Sequence, residues 1–408
     1  SPAATVAADA AARQATARGG IRVREPWSSA QPIEGDSPAR VAYDFRVGMP
    51  DARLFPFTLW RRLVGRQLRA AGADWGRYGD PAGHAGLRAA IARHIGFSRS
   101  VRASTDDVIV TQGAQQALDL VGRVMIDPAR HGTVVAVEEP GYPPARRLFR
   151  SLGARVVGVP VDDEGLVVSA LPRAARLVYV TPSHQFPLGV AMSLRRRLEL
   201  LAWAEHHDAV VIEDDYDSEF RFSGRPLEPL QTLDASGRVV YVGSFSKVLL
   251  PTLRLGFLVA PRSLLTALRA AKQLTDWQGD LSTQAALARF IEDGLLGRHV
   301  RKVAREYAER HARIVTVIER DFNRWLQLVP SAAGLHVAAQ SVVRRPMVFS
   351  QVVARADAQG VRLRSLSYFA DAPLARDGLV IGYGAVTPTR IEEGLRKLAA
   401  ALGPSRSK

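Results

Sequence analysis

Val239-Val240-Tyr241-Val242-Gly243-Ser244-Phe245-Ser246-Lys247 is the stretch that decides how this chain reads. Four apolar, β-favouring residues predict a buried strand, and Gly243-Ser244-Phe245-Ser246 then leads to a lysine. An ammonium group at the end of a buried strand is costly, because burial disfavours its charged form. The position is tolerable when the amine is neutral or covalently engaged, and a Schiff base achieves both. Lysine is also scarce: besides Lys247 the chain has only Lys272, Lys302, Lys397 and Lys408. Arg254 follows in Leu253-Arg254-Leu255-Gly256-Phe257, where apolar neighbours predict a buried guanidinium that needs an anion such as phosphate.

Outward from this stretch, short apolar runs alternate with helical patterns. Strands are predicted at Val108–Thr111, Thr133–Val137, Ala154–Val159, Leu177–Val180, Ala209–Ile212, Val239–Val242 and Leu255–Val259. Helices are predicted between them at Gln115–Met125, Pro144–Leu152, Leu194–His206 and Arg262–Lys272. That alternation predicts an α/β fold with a mostly parallel sheet flanked by helices. The pattern turns mainly helical from Asp280 to Leu328, then mixed, with strands near Gly334–Ala338 and Leu379–Gly382 and a last helix at Thr389–Leu402. The expected division is a linker or tail over 1–40, with a short helix around Ala7–Ala17; an N-terminal arm and large domain over 41–290; and a small C-terminal α+β domain over 291–408.

In open parallel sheets, ligands sit at the carboxyl ends of strands. Behind Val108–Thr111 comes Gln112-Gly113-Ala114-Gln115-Gln116, a glycine turn entering a helix. Free N–H groups and the helix dipole suit a phosphate there, although a plain βα turn has the same residues. Behind Ala209–Ile212 comes Glu213-Asp214-Asp215-Tyr216-Asp217. Alone, this acidic run admits a metal site, a solvated loop, or a carboxylate that keeps a pyridine nitrogen protonated. A phosphate turn, a carboxylate, a lysine and an arginine, in that order, are the parts that pyridoxal phosphate needs.

The motifs that carry a family resemblance are Tyr78-Gly79-Asp80-Pro81-Ala82-Gly83, Glu139-Pro140-Gly141-Tyr142-Pro143, Thr181-Pro182-Ser183-His184-Gln185-Phe186-Pro187-Leu188-Gly189, Glu213-Asp214-Asp215-Tyr216-Asp217-Ser218-Glu219-Phe220 and Ser244-Phe245-Ser246-Lys247. Over about residues 41 to 402 the chain resembles the fold type I, aspartate-aminotransferase-like, pyridoxal phosphate-binding domain of MocR-type regulators in the GntR superfamily. The resemblance implies an internal aldimine on Lys247, with Asp214 on the pyridine nitrogen and Tyr216 on the ring oxygen. It implies backbone N–H groups of Gly113, Ala114 and Gln115 on the phosphate, completed by Ser244 and Arg254. It also implies Tyr142 on the ring face, His184 near the cofactor, and Tyr78 reaching the phosphate of a neighbouring subunit in a homodimer. No metal is implied. Two departures stand out. Phe186 replaces the asparagine that touches the ring oxygen in aminotransferases. Val380, in Leu379-Val380-Ile381-Gly382-Tyr383, replaces the arginine that grips a substrate carboxylate, leaving Arg362 or Arg364 as substitutes.

The composition narrows the classes. A 47% apolar content supports a sizeable core, and no cysteine is available for disulfides or Cys-ligated metal. No run is long enough to span a membrane, and no secretory leader is apparent, so a cytoplasmic location is expected. The net charge of +15 fits nucleic acid or an anionic ligand, and equally an Arg-rich compositional bias. The function expected is an effector and dimerisation domain that senses pyridoxal phosphate, an amine or an amino acid. DNA would be met through an N-terminal winged helix-turn-helix, which is not among these residues. The alternative is a free-standing aminotransferase, with at most weak or half-reaction activity.

Overall fold

The computed structural model describes residues 41–70, 76–129, 132–222, 228–331, 333–343 and 347–403, together with Val23 and residues 26–28. The tail expected over 1–40 and its short helix lie almost wholly outside the described residues. Residues 39–408 form one unit by chain contacts.

The apolar runs pair into an eight-stranded sheet. Its strands are β1 (Val108–Thr111), β2 (Val134–Glu139), β3 (Arg155–Asp162), β4 (Gly165–Leu166), β5 (Ala175–Val180), β6 (Val210–Asp215), β7 (Val239–Ser244) and β8 (Gly256–Val259). The spatial order is β1-β8-β7-β6-β5-β2-β3-β4. The neighbours from β7 through β3 pair in parallel. β8 runs antiparallel to both β1 and β7, and β4 turns back on β3. The alternation of side chains along each strand fills two separate cores. Val135, Val137 and Ile212 pack on one face with Leu118, Phe149 and Leu268 of the helices Ala114–Met125, Pro143–Ser151 and Arg262–Thr275. Val134, Ala136 and Val211 pack on the other face with Leu200 and Ala204 of the helix Leu194–His206.

After the helices Leu281–Glu292 and Leu295–Asp321, a second sheet forms from β9 (Leu326–Leu328), β10 (His336–Ser341), β11 (Arg364–Ser365) and β12 (Gly378–Gly382). Its order is β9-β10-β12-β11, antiparallel throughout. Val352 and Leu395, from the helices Phe349–Asp357 and Pro388–Leu402, belong to the apolar core that it shares. Tyr43–Asp44 pairs in parallel with Val361–Arg362, so the start of the unit is stitched to its far end. Among the described residues no helix is long and apolar enough to cross a membrane.

Candidate functional site

Register brings the candidate residues to one edge of the large sheet. Gly256, at the start of β8, pairs with both Thr111 and Ser244. The turn before β8, which carries Arg254, therefore lies between the ends of β1 and β7. Gly113 follows β1 at φ +74, a conformation natural only to glycine, and leads into the helix Ala114–Met125. The first N–H groups of that helix have no intrahelical acceptor. Arg254 is itself left-handed, at φ 51, and its Nη2 donates to the Gln112 carbonyl at 2.5 Å. A Cβ on Gly113 would lie 3.2 Å from the guanidinium nitrogens. The sequence predicted a buried Arg254, whereas the side chain is exposed. The residue caps a short turn at the rim, and its neighbour Leu255 is the one that enters the core. Ser244 is buried, and its Oγ accepts from the Ser246 N–H at 3.1 Å.

Asp214 is 4% exposed, near the end of β6. The Tyr179 hydroxyl donates to its Oδ2 at 2.8 Å, while Oδ1 is buried with no partner among the described residues. Burial pushes its pKa up to about 7; the Tyr179 bond opposes the rise, the charge of Asp215 adds to it, and Lys247 opposes it. Lys247 Nζ donates to the Gly48 carbonyl at 2.8 Å. Burial pushes the amine's pKa down, partly offset by Asp217 and Asp214. Gly48 has φ +73, and a Cβ there would meet Nζ at 2.8 Å, so this close approach requires glycine.

Tyr142 precedes the helix Pro143–Ser151 and packs edge-on against Phe186, with ring centroids 5.6 Å apart. Burial pushes its pKa up to about 12, with Asp214 adding and Arg254 opposing, so it lies within the field of both groups. The Tyr216 hydroxyl donates to the His184 carbonyl at 3.0 Å and lies 3.0 Å from His184 Nδ1. Burial, then Asp217, hold this phenol well above its ordinary pKa.

The acidic run is neither a solvated loop nor one cluster. Asp215 is buried and pairs with Arg99 at 2.7 Å and with the Tyr241 hydroxyl at 2.6 Å. Asp217 faces the other way, 3.1 Å from His184. His184, Asp217 and His336 bring ligand-type atoms within 4.8 Å of one another. Hydrogen bonds already engage them: both ring nitrogens of His184 are committed, and His336 Nε2 bonds the Pro187 carbonyl at 3.0 Å.

Tyr78 stands apart from this edge. It is 81% exposed and leans on Trp277 with ring centroids 4.9 Å apart. Val380 is fully buried in an apolar cluster with Phe186, Leu188, Ala338, Leu366 and Phe369. Arg362 bonds Asp357 at 2.9 Å, whereas Arg364 pairs in register with Val380 and lies over the Tyr368 ring at 4.5 Å. Sequence reasoning missed Tyr179, Ser331 and the link from Asp217 to His184, and it gave no role to Gly48, which belongs to the motif Gly48-Met49-Pro50-Asp51. Tyr179 carries the only available hint, a hydroxyl near the carboxyl end of a strand that neighbours the one bearing Asp214.

Residues 50–370 match the family described as Aminotransferase class I and II. The chain is 39% identical to the probable rhizopine catabolism regulatory protein MocR of Rhizobium meliloti, over 92% of this chain and 75% of that one. It is 35% identical to the HTH-type pyridoxine biosynthesis transcriptional regulator PdxR of Corynebacterium glutamicum, over 88% of this chain and 75% of that one. Among solved structures it resembles the kynurenine aminotransferase of Pyrococcus horikoshii, with a TM-score of 0.81 and 27% identity over 91% of this chain and 93% of that one.

Proposed function

The chain belongs to the aminotransferase class I and II family, in the branch formed by the aminotransferase-like domains of MocR-type regulators, and from that premise we propose that it senses an amine through its cofactor. The cofactor of this fold is pyridoxal phosphate, and the residues present fit it. A buried carboxylate oxygen without a partner at Asp214 suits a protonated ring nitrogen. The glycine turn at Gly113, flanked by an exposed arginine, suits a phosphate. When bound, pyridoxal phosphate supplies an aldehyde that captures amines and a ring that draws electrons from them.

The chain's own residues then divide the work. The Lys247 amine, driven toward its neutral form by burial, holds the cofactor. Asp214 keeps the ring nitrogen protonated, and Tyr216 donates to the ring oxygen. Gly113, Ala114, Gln115, Ser244 and Arg254 hold the phosphate, and Tyr142 covers the ring face. Tyr78, turned outward, would serve the site of a second copy in a homodimer.

Sensing is preferred to turnover on one observation: Val380 is buried in an apolar cluster where amino-acid transaminases carry a carboxylate-gripping arginine. Arg364, in register with Val380 across the strand pair, is a substitute that the fold offers and would favour an effector with its own acid group. Relatives titled HTH-type regulators extend beyond the three-quarters of their length that aligns here, and a DNA-binding head in the remainder would read the amine's effect on closure. Such a switch requires the effector to bind two conformations with different affinity. A cytoplasmic location accords with this role. The test is a panel of amines, amino acids and keto acids on the cofactor-loaded protein. At least one amine should shift the visible absorption while steady-state transamination stays negligible. Sustained turnover would favour the aminotransferase reading.

A further inference from the structure

His184 lies beside Tyr216 and Asp217. Its imidazole is buried, with Nδ1 3.1 Å from both oxygens of Asp217 and Nε2 3.1 Å from Ser331 Oγ. Both ring nitrogens are therefore committed, and none remains for a cofactor. Asp217 is acceptor-only when ionised, so Nδ1 carries the proton that it receives. The Tyr216 hydroxyl donates to the His184 carbonyl here, and would turn its proton to the ring oxygen when the cofactor is bound, its oxygen still accepting from Nδ1. One residue thus meets the phenol twice, through its backbone oxygen and through Nδ1, both at 3.0 Å.

The surroundings fix His184 from behind. A Cβ on Gly334, at φ +85, would fall 2.0 Å from His184 Cε1 and 2.6 Å from Asp217 Oδ2. The ring of His336 lies against the imidazole, with centroids 4.8 Å apart. Ser331 and Gly334 lie in the segment between β9 and β10. The imidazole therefore joins the end of β6 to the approach of the small sheet. Aminotransferases of the resembling family bring an asparagine to the ring oxygen, and Phe186 stands in that place here.

We propose that His184 and Asp217 are positioning residues that hold the Tyr216 hydroxyl for the cofactor's ring oxygen, in the absence of that asparagine. The inference rests on the reading that Tyr216 faces the ring oxygen. The carboxylates whose charge acts on the phenol are Asp217, Asp214, Glu138 and Asp215, with Asp217 the largest contributor among them. Asp217 thus acts in two ways, by orienting His184 and by its own charge, and the test separates them.

The readout is the pH midpoint of the visible band of the cofactor-loaded protein. Tyr216→Phe should move it by about one pH unit, the size of one lost hydrogen bond to an ionising group. His184→Ala should move it in the same direction by at least half as much. His184→Asn, whose amide nitrogen can donate from the place of Nδ1, should stay close to the parent. The double variant His184→Ala/Tyr216→Phe should move no further than Tyr216→Phe alone, because the imidazole acts only through the phenol. An unmoved midpoint in His184→Ala, or single effects that add in the double variant, would overturn the proposal. If His184→Ala does not fold, Asp217→Asn is read in the same way; a pure charge effect would persist in the Tyr216→Phe background and would also overturn it. A parental midpoint in Tyr216→Phe itself would remove the ring-oxygen reading, and this proposal with it.

Discussion

The Asp214 carboxylate is buried with one oxygen unsatisfied, and its pKa stands at about 7 against an ordinary value of 3.8. Below pH 4 the group is protonated both folded and unfolded, so it costs nothing. Between pH 4 and 7 the folded state binds the extra proton, and stability falls as pH rises. Above pH 7 the whole penalty is present. Asp214→Asn should therefore stabilise the cofactor-free protein at pH 8, by on the order of 2–4 kcal/mol, and leave it unchanged near pH 3.5. The same substitution should weaken cofactor binding; thermal unfolding at the two pH values, with and without cofactor, reads both effects. Lys247 stood out in the sequence because a charged residue at the end of an apolar strand calls for an explanation, whereas Asp214 was singled out from its acidic run only by the family resemblance. Asp217 was not: within the run from Glu213 to Asp217, sequence alone cannot tell which carboxylate faces Arg99 and which faces His184.

The strands were read well because each is a short run of β-branched and apolar residues bounded by turns. Their directions were less accessible. β8 has the same texture as β7 yet runs against it, since an apolar run carries no polarity. Two-residue pairings such as Tyr43–Asp44 with Val361–Arg362 are too short and too distant in sequence to announce themselves. Direction matters for the site, because reversing β8 puts Arg254 at the carboxyl edge. It also explains the exposed guanidinium, which belongs to a turn and not to a strand. Gly113 is the matching constraint on the other side. Gly113→Ala would force a side chain to φ +74, with its Cβ 3.2 Å from Arg254. Cofactor affinity should fall about tenfold or more, a cost of at least roughly 1.4 kcal/mol, measured by fluorescence titration. A Gly113→Ala protein that binds as tightly as the parent would place the phosphate elsewhere.

At the scale of the molecule, an exposed Tyr78 beside Trp277 makes sense if a second copy covers it. The chain should sediment as a dimer of its 44.4 kDa subunit, and Tyr78→Phe should leave the dimer intact while weakening cofactor retention. A monomer that retains cofactor fully would remove the shared-site reading. The large sheet was legible as a whole because short apolar runs and helical patterns alternate in step along the sequence. The small sheet was less so, since its strands are short and its partners lie far apart in the chain. A cofactor held at Lys247 is easy to test in a chain with only five lysines. The cofactor-loaded protein is reduced with borohydride, digested and mapped by mass spectrometry. A phosphopyridoxyl adduct is expected on Lys247 alone, absent from Lys247→Ala. An adduct on Lys272 or another lysine, or unchanged trapping in Lys247→Ala, would contradict it.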